Sequence, residues 1–186
     1  MKMFKKLMAI ALAGVMALAV LTGCGTSVNE KEIIRIFNDT LKTVAAEQAM
    51  AANDIKIYSV KADSGMKEKA QSVAKIMATD VNKDSTWETQ LYAKQKEIQK
   101  AVAGDDTTNQ YRVGFAPKVK YDSKLYNTLD SGIDALSIIK NIKPISMNTE
   151  YEPVDGAVSL IGFADTTING VTYTVAVIKI PTQKKA

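Results

Sequence analysis

One short stretch of the chain collects the oxygen-bearing side chains that a hard cation prefers. Asp80, Asn82 and Asp84 stand at alternate positions, and Glu88 follows four residues later. Ca²⁺ is bound by several oxygen ligands that converge from a tight loop, and alternate loop residues can supply them. Ser85 stands where such a loop carries a glycine for its sharp turn. The alternative is therefore a turn between two helices, in which Asp84 or Ser85 caps the second helix.

Two further patterns could serve hydrolysis without histidine. A Ser-x-x-Lys spacing places a hydroxyl and an amine on one helical face, so that the amine can take the proton of the serine. Paired carboxylates could act as general acid and base. Both patterns are also common on solvated helices and loops, and no pair is visibly set in an apolar pocket that would raise a pKa. The Ser-x-x-Lys pairs are Ser64 with Lys67, Ser72 with Lys75 and Ser137 with Lys140, and the carboxylate pairs are Asp105 with Asp106 and Glu150 with Glu152.

Four tyrosines form a candidate ligand-binding surface. Tyr111, Tyr121, Tyr126 and Tyr151 fall within 41 residues and could present their rings to a glycan or a peptide. The alternative is that Tyr111 and Tyr121 pack against a sheet while their hydroxyl groups reach water. The burial of these rings distinguishes the two interpretations.

The composition removes much of the usual catalytic chemistry. The chain has 186 residues, one Cys and no His. Without histidine there is no Ser-His-Asp or Cys-His machinery, no His-ligated zinc and no His proton shuttle. The single Cys cannot form an internal disulfide. We expect no cofactor.

The first 24 residues have the pattern of an export signal. Three lysines within the first six residues precede an apolar run at residues 7–21. These fifteen residues are fewer than the roughly 20 that cross a bilayer core. The run ends in Leu21-Thr22-Gly23-Cys24, which resembles the lipobox of bacterial lipoproteins at all four positions.

The resemblance implies that residues 1–23 are a cleaved signal peptide and that Cys24 carries a lipid. Cys24 would receive a diacylglycerol thioether and become the new N-terminus. One acyl chain binds a membrane only marginally, whereas two or more hold it stably. We therefore expect a protein anchored at Cys24 on the extracytoplasmic face of the cell membrane. The alternatives are an ordinary secretory signal with an incidental Cys, or a retained transmembrane helix.

Removal of the signal changes the charge of the chain. Three lysines leave with residues 1–23, so the formal charge falls from +4 to +1. Nucleic-acid binding needs a concentrated basic surface, so we expect no nucleic-acid partner. Residues 24–29 form a tether whose last five residues reach less than about 20 Å, which keeps a domain at 30–182 close to the membrane. Residues 183–186 are expected to fray.

The spacing of apolar residues predicts an α+β fold: an antiparallel sheet of three to five strands with three to four helices packed on it. Helical spacing covers residues 30–52, 64–81, 85–103 and 123–141. Short strands are expected at 55–60 and around Ile145. Strict alternation predicts a strand at 111–121 whose second face, with Arg112 and Gly114, meets water.

The C-terminal hairpin is the clearest element. Val158 to Ile168 and Val171 to Ile180 flank Asn169-Gly170, a dipeptide that favours the type I′ turn because both central residues need positive φ. Helices should cover one face fully and the other in part. The predicted register places Ile168 opposite Val171, Ala164 opposite Val175 and Leu160 opposite Lys179.

These features favour a membrane-anchored lipoprotein whose domain is a non-catalytic binding module. Its partner would be a protein or a cell-wall ligand. One alternative is a His-independent surface hydrolase that uses carboxylates. The other is a small Ca²⁺-dependent module built on Asp80 to Glu88.

Overall fold

The structure is a computed structural model that describes residues 30–79, 85–118 and 135–185. Helices and strands are both well represented, which confirms the predicted α+β class. The helices are α1 (Glu30–Leu41), α2 (Val44–Ala52), α3 (Ser64–Ala78), α4 (Trp87–Ala93), α5 (Gln95–Val102) and α6 (135–140). The strands are β1 (Ser59–Ala62), β2 (Gln110–Pro117), β3 (Lys143–Ser146), β4 (Tyr151–Pro153), β5 (Val158–Ile168), β6 (Val171–Ile180) and β7 (Thr182–Lys184).

Five of the strands form one sheet in the order β1-β5-β6-β2-β3, and β4 pairs with β7 in a separate ribbon. The sheet is mixed rather than purely antiparallel as predicted, because β1 runs parallel to β5. Antiparallel pairing is natural for strands joined by a hairpin, whereas the chain between β1 and β5 includes the described helices α3 to α6 and the strands β2 to β4. A connection of this length does not determine the direction of β1, which is set instead by how the strand packs in the fold.

The hairpin of β5 and β6 forms the centre of this sheet and has the predicted register. Ile168 pairs with Val171, Ala164 with Val175 and Leu160 with Lys179. Asn169 and Gly170 have φ values of 52° and 79°, as the type I′ turn requires. We call the end of the sheet that carries this turn the loop end, and the end that carries Val158 and Ile180 the open end.

Helices cover both faces of the sheet. On one face, α3, α4 and α5 pack against β2 and the hairpin around Phe115, Val175 and Val177. On the other face, α1, α2 and α6 pack around Ile161, Ala176 and Ile178. The prediction of a water-facing side for the strand at 111–121 is therefore wrong over β2, where all residues but the last are buried. Alternation reports two faces but not whether a helix covers the second.

Two glycines let helices approach the sheet closely. A Cβ atom on Gly162 of β5 would lie 2.1 Å from the backbone N of Lys67 in α3. A Cβ atom on Gly114 of β2 would lie 2.7 Å from Cγ2 of Ile138 in α6, on the opposite face. Only the residue without a Cβ permits these contacts.

Two predicted helices are each divided in two. The helix predicted over 30–52 breaks at Thr43, which has extended ψ and caps α2 by accepting a hydrogen bond from the N–H of Ala46. The helix predicted over 85–103 breaks at Lys94. The Lys94 ammonium donates to the Ile76 carbonyl at 2.7 Å and also to the backbone and hydroxyl oxygens of Thr79, which caps α3. The predicted helix is thus interrupted at the residue whose side chain caps α3.

A second lysine completes a reciprocal arrangement. Lys69 of α3 donates to the Val102 carbonyl at 2.5 Å, at the C-terminal end of α5. Each of the two helices therefore receives a cation at the end where its carbonyl groups and macrodipole are negative.

The edge strand β1 and the tail are both held by hydrogen bonds. The Asn38 side chain of α1 donates to the Val60 carbonyl at 3.0 Å and accepts from the Val60 N–H at 2.7 Å. It therefore satisfies the backbone groups of Val60 on the side of β1 that pairs with no other strand. Thr182–Lys184 form β7 and pair with β4, so the predicted fraying of residues 183–186 is wrong for Gln183 and Lys184. The predicted strand near Ile145 is present as two short strands, β3 and β4.

Candidate functional site

An apolar groove of about 600 Å³ runs between α4 and the edge strand β3. Leu91 and Ile145 form buried parts of its wall, and the Tyr92 side chain is 82% exposed. The volume lies within the range of about 300–1,000 Å³ that is typical of ligand sites. Its other lining residues are Glu88, Thr89, Gln95, Lys143 and Pro144.

The sequence fixes α4 against the sheet at both ends. Thr86 is the N-cap, and its hydroxyl oxygen accepts from the Thr89 N–H at 3.3 Å. The Trp87 ring stacks on Phe115 of β2, with ring centroids 4.9 Å apart. Lys94 ends the helix by capping α3. Because Trp87 and Leu91 are one turn apart and buried, Tyr92 is left on the solvent side of the groove.

The other wall of the groove is a strand that resists pairing with further strands. β3 pairs with β2 through an irregular register, with a shift between Tyr111 and Arg112. Its four residues include Lys143 and Pro144. Short length, a lysine and a proline are the devices that protect sheet edges from further pairing. A ligand in this groove therefore meets side chains rather than a free row of backbone hydrogen-bonding groups.

A second groove of about 600 Å³ lies at the open end of the sheet, beside α1 and α2. It has more charged residues, among them Lys42, Glu47 and Lys56. Tyr58 lines it and donates to Asp155 at 2.6 Å, and this hydrogen bond raises the pKa of Tyr58. The phenol is thus fixed in its protonated form against a carboxylate.

Asp106 is the centre of the densest polar cluster in the described residues. Its carboxylate accepts from the N–H groups of Thr108 and Asn109, from both of their side chains, and from the Tyr111 hydroxyl at 2.8 Å. The Lys179 ammonium lies 3.4 Å away. Partial burial raises the pKa of Asp106, but the donated hydrogen bonds outweigh it and hold the pKa well below its usual range.

The same contact determines the state of Tyr111. Burial and the Asp106 carboxylate raise the pKa of Tyr111 far above its ordinary value. Lys69 and Lys179 lie near its ring, 5.6 and 5.8 Å from the centroid. Near neutral pH the carboxylate stays charged and the phenol stays protonated, so this pair holds the loop before β2 and does not exchange a proton.

Arg112 is an unusual residue within the core. It is 1% exposed, and its Nη2 donates to the Asp54 carbonyl at 3.1 Å, while its Nε has no hydrogen-bond partner among the described residues. Burial lowers the pKa of Arg112, and the charge of Asp54 opposes that shift. Asp54 itself has φ of 50°, so the arginine holds a left-handed residue just after α2.

Several of the predicted site residues lie outside the described residues. They are Cys24, the loop residues Asp80, Asn82 and Asp84, and the tyrosines Tyr121 and Tyr126. Glu88, the fourth candidate metal ligand, lies in the first turn of α4 and lines the groove. Over residues 30–79, 85–118 and 135–185, no group of three acidic or Cys side chains is placed to hold a metal ion.

The remaining candidates do not converge on one place. Tyr111 is 3% exposed, so its ring packs the core and is not part of a ligand surface, and its hydroxyl meets Asp106 rather than water. Tyr151 begins β4 and pairs with Lys184. The Ser72 hydroxyl donates to the Glu68 carbonyl within its own helix. Glu152 accepts from the Gln183 side chain at 3.3 Å.

One feature of the sequence marks this groove. Tyr92 falls off the apolar stripe of its helix, next to Leu91 on the stripe. An aromatic ring at such a position is either exposed or covered by another element, and here it is exposed.

Comparisons with protein-family models, with curated proteins and with solved structures give no match. Among the helices of the described residues, none has the length and apolarity to cross a membrane.

Proposed function

We propose that this chain is an extracytoplasmic lipoprotein, anchored at Cys24, whose domain is a non-catalytic module that binds a polypeptide partner. The anchor rests on the signal and on the lipobox at Leu21 to Cys24. The binding role rests on the groove between α4 and β3, and above all on the exposed Tyr92 ring beside buried Leu91 and Ile145.

The groove supports binding of apolar side chains rather than a reaction. Tyrosine offers a large contact area for little loss of conformational entropy, and exposed aromatic rings are frequent energetic centres of interfaces. Glu88 and Lys143 stand on its two walls and could orient a partner by charge. An extended peptide that inserts two or three aliphatic side chains would match a site of this size.

Membrane fractionation tests the anchor. Cys24→Ala should release the protein from the membrane fraction or leave an uncleaved precursor, because no thioether can form. Thr22→Ala is the matched control, since it keeps a small residue in the lipobox and should be retained like the natural chain. Retention of Cys24→Ala at mature size would refute the anchor.

A peptide array tests the groove. Tyr92→Ser should weaken binding of the peptides that the natural protein selects by about tenfold or more, equivalent to roughly 1.4 kcal/mol. Tyr58→Ser removes a tyrosine from the second groove and should leave the selection unchanged. Equal loss in both variants, or selective binding of cell-wall muropeptides in place of the array peptides, would contradict the proposed partner.

A further inference from the structure

The groove between α4 and β3 carries an anion on one wall and a cation on the other. Glu88 lies in the first turn of α4 and is exposed. Lys143 of β3 pairs with Val113, which belongs to the core beneath α4, so the Lys143 side chain leaves the sheet on that same face. Over residues 30–79, 85–118 and 135–185, neither charge has an ion-pair partner. Both charges are therefore available to a neighbouring molecule.

The same groove has a projecting ring beside an apolar wall. The Tyr92 side chain is 82% exposed, the largest fraction among the large apolar side chains that the structure describes. Glu88 lies one helical turn before it, so both side chains project from one side of α4. Ile145 on the opposite wall is buried. An exposed tyrosine next to buried aliphatic residues is typical of the centre of a protein interface.

Pairing with further strands is hindered at both edges of the large sheet. Pro144 of β3 has no N–H to donate, and Lys143 precedes it. At the other edge, the Asn38 side chain bonds to both backbone groups of Val60. A neighbouring molecule therefore meets this domain through side chains rather than through an extended sheet.

A surface that pairs with its own copy about a twofold axis must be complementary to itself, because each contact occurs twice. An axis along the groove would bring α4 of each copy against β3 of the other. Glu88 of one copy then meets Lys143 of the other, and the Tyr92 ring of each packs against the Ile145 wall of the other. The spacings agree: Glu88 and Tyr92 are about 6 Å apart along the helix, and Lys143 and Ile145 about 7 Å apart along the strand.

We propose that the groove between α4 and β3 pairs with the same groove of a second copy of this chain. The patch is small, with eight lining residues in each copy, whereas a standard interface has about 20–30 residues a side. We therefore expect a weak dimer with Kd of about 10–100 μM. A peptide in the groove would use the same Tyr92 ring, so peptide and second copy exclude each other. The pairing goes beyond the proposed function and does not depend on it.

Sedimentation equilibrium of the full chain, in detergent whose density the solvent matches, tests the pairing. The natural chain should pass from monomer to dimer between about 1 and 200 μM. Tyr92→Ser should raise Kd by about tenfold or more. Glu88→Lys and Lys143→Glu each place like charges together twice, so each alone should also raise Kd by about tenfold or more. Glu97→Lys is the matched control, because it reverses a glutamate in the first turn of α5 outside the groove and should leave Kd unchanged.

An equal mixture of the two charge variants tests the twofold axis. The Glu88→Lys chain offers two cations and the Lys143→Glu chain two anions, so each should pair with the other although neither pairs with itself. The mixture should therefore dimerise about as tightly as the natural chain. A mixture that stays monomeric would overturn the proposed contacts.

The remaining outcomes separate this pairing from peptide binding. A natural chain that is monomeric at about 200 μM, or a Tyr92→Ser chain that dimerises as tightly as the natural one, would overturn the pairing. If the monomeric natural chain still selects array peptides, the proposed function stands without the dimer. A dimer that selects no peptide would overturn peptide binding and leave the pairing standing. Circular dichroism of each variant confirms that it is folded.

Discussion

Replacement of Gly162 by alanine tests the closest contact in the domain. The new Cβ atom would lie 2.1 Å from the backbone N of Lys67, 2.2 Å from the backbone C of Met66 and 2.5 Å from Cα of Lys67. These atoms belong to the backbone of α3 and cannot rotate away. To restore an ordinary separation of about 3.5 Å, α3 would have to retreat from the sheet by more than about 1 Å.

The cost of that retreat follows from what α3 buries. Met66, Ala70 and Val73 lie on its buried face, and a shift of the helix loosens all of them at once. Overpacking of this kind costs about 1–3 kcal/mol, and more where backbone must move. For a domain of this size each kcal/mol lowers Tm by about 2–4 °C, so we expect Gly162→Ala to unfold about 3–10 °C below the natural protein.

Thermal denaturation followed by circular dichroism measures the effect. Gly65→Ala is the control, because the nearest atom to its new Cβ is Oδ1 of the Asp63 side chain at 3.1 Å, and alanine favours a helix over glycine by up to about 1 kcal/mol. Because that oxygen also caps α3 by accepting from the Met66 N–H, the Tm of Gly65→Ala should stay close to that of the natural protein and above that of Gly162→Ala. If Gly162→Ala unfolded at the temperature of the natural protein, α3 would not lie on Gly162 and the packing described here would be wrong.

Three further substitutions test the polar contacts. Asp106→Asn should lower the free energy of unfolding by about 1–2 kcal/mol at pH 7. Because folding lowers the pKa of Asp106, the difference between the variant and the natural protein should shrink as the pH falls below about 4. A difference in urea titrations that does not change with pH would contradict this expectation. Arg112→Met removes a buried charge with few partners, so the free energy of unfolding measured in urea should stay equal or rise by about 1–2 kcal/mol. A large drop would show that the arginine stabilises the core. Lys94→Met should lower the free energy of unfolding by about 1 kcal/mol through loss of the α3 cap, whereas Lys96→Met on the exposed face of α5 should not.

The hairpin shows how much of the fold the sequence determines locally. Asn169-Gly170 sets the turn, the turn sets the register, and alternation assigns Ile161 and Val175 to opposite faces. Each step depends on neighbours in the chain. The buried stripe of α3, with Met66 and Met77, was predictable for the same reason.

Features that depend on distant parts of the chain were not predictable. Arg112 alternates like a solvent-facing residue, yet α1 and α2 cover its face and the Asp54 carbonyl receives its hydrogen bond. No local signal breaks the helix at Lys94, because the reason for the break is the end of α3, 15 residues earlier at Thr79. The groove beside Tyr92 likewise exists only because β3 lies next to α4.

The parallel pairing of β1 with β5 also governs the order in which the chain can fold. Ser59 meets Val158, its partner 99 residues later, and every other strand of the large sheet reaches β1 only through the C-terminal hairpin. Contacts at such separation form slowly, since a long loop must close first. During synthesis β2 and β3 can pair with each other, but β1 has no partner strand until β5 has emerged. The large sheet is therefore completed only after nearly all of its chain has been made.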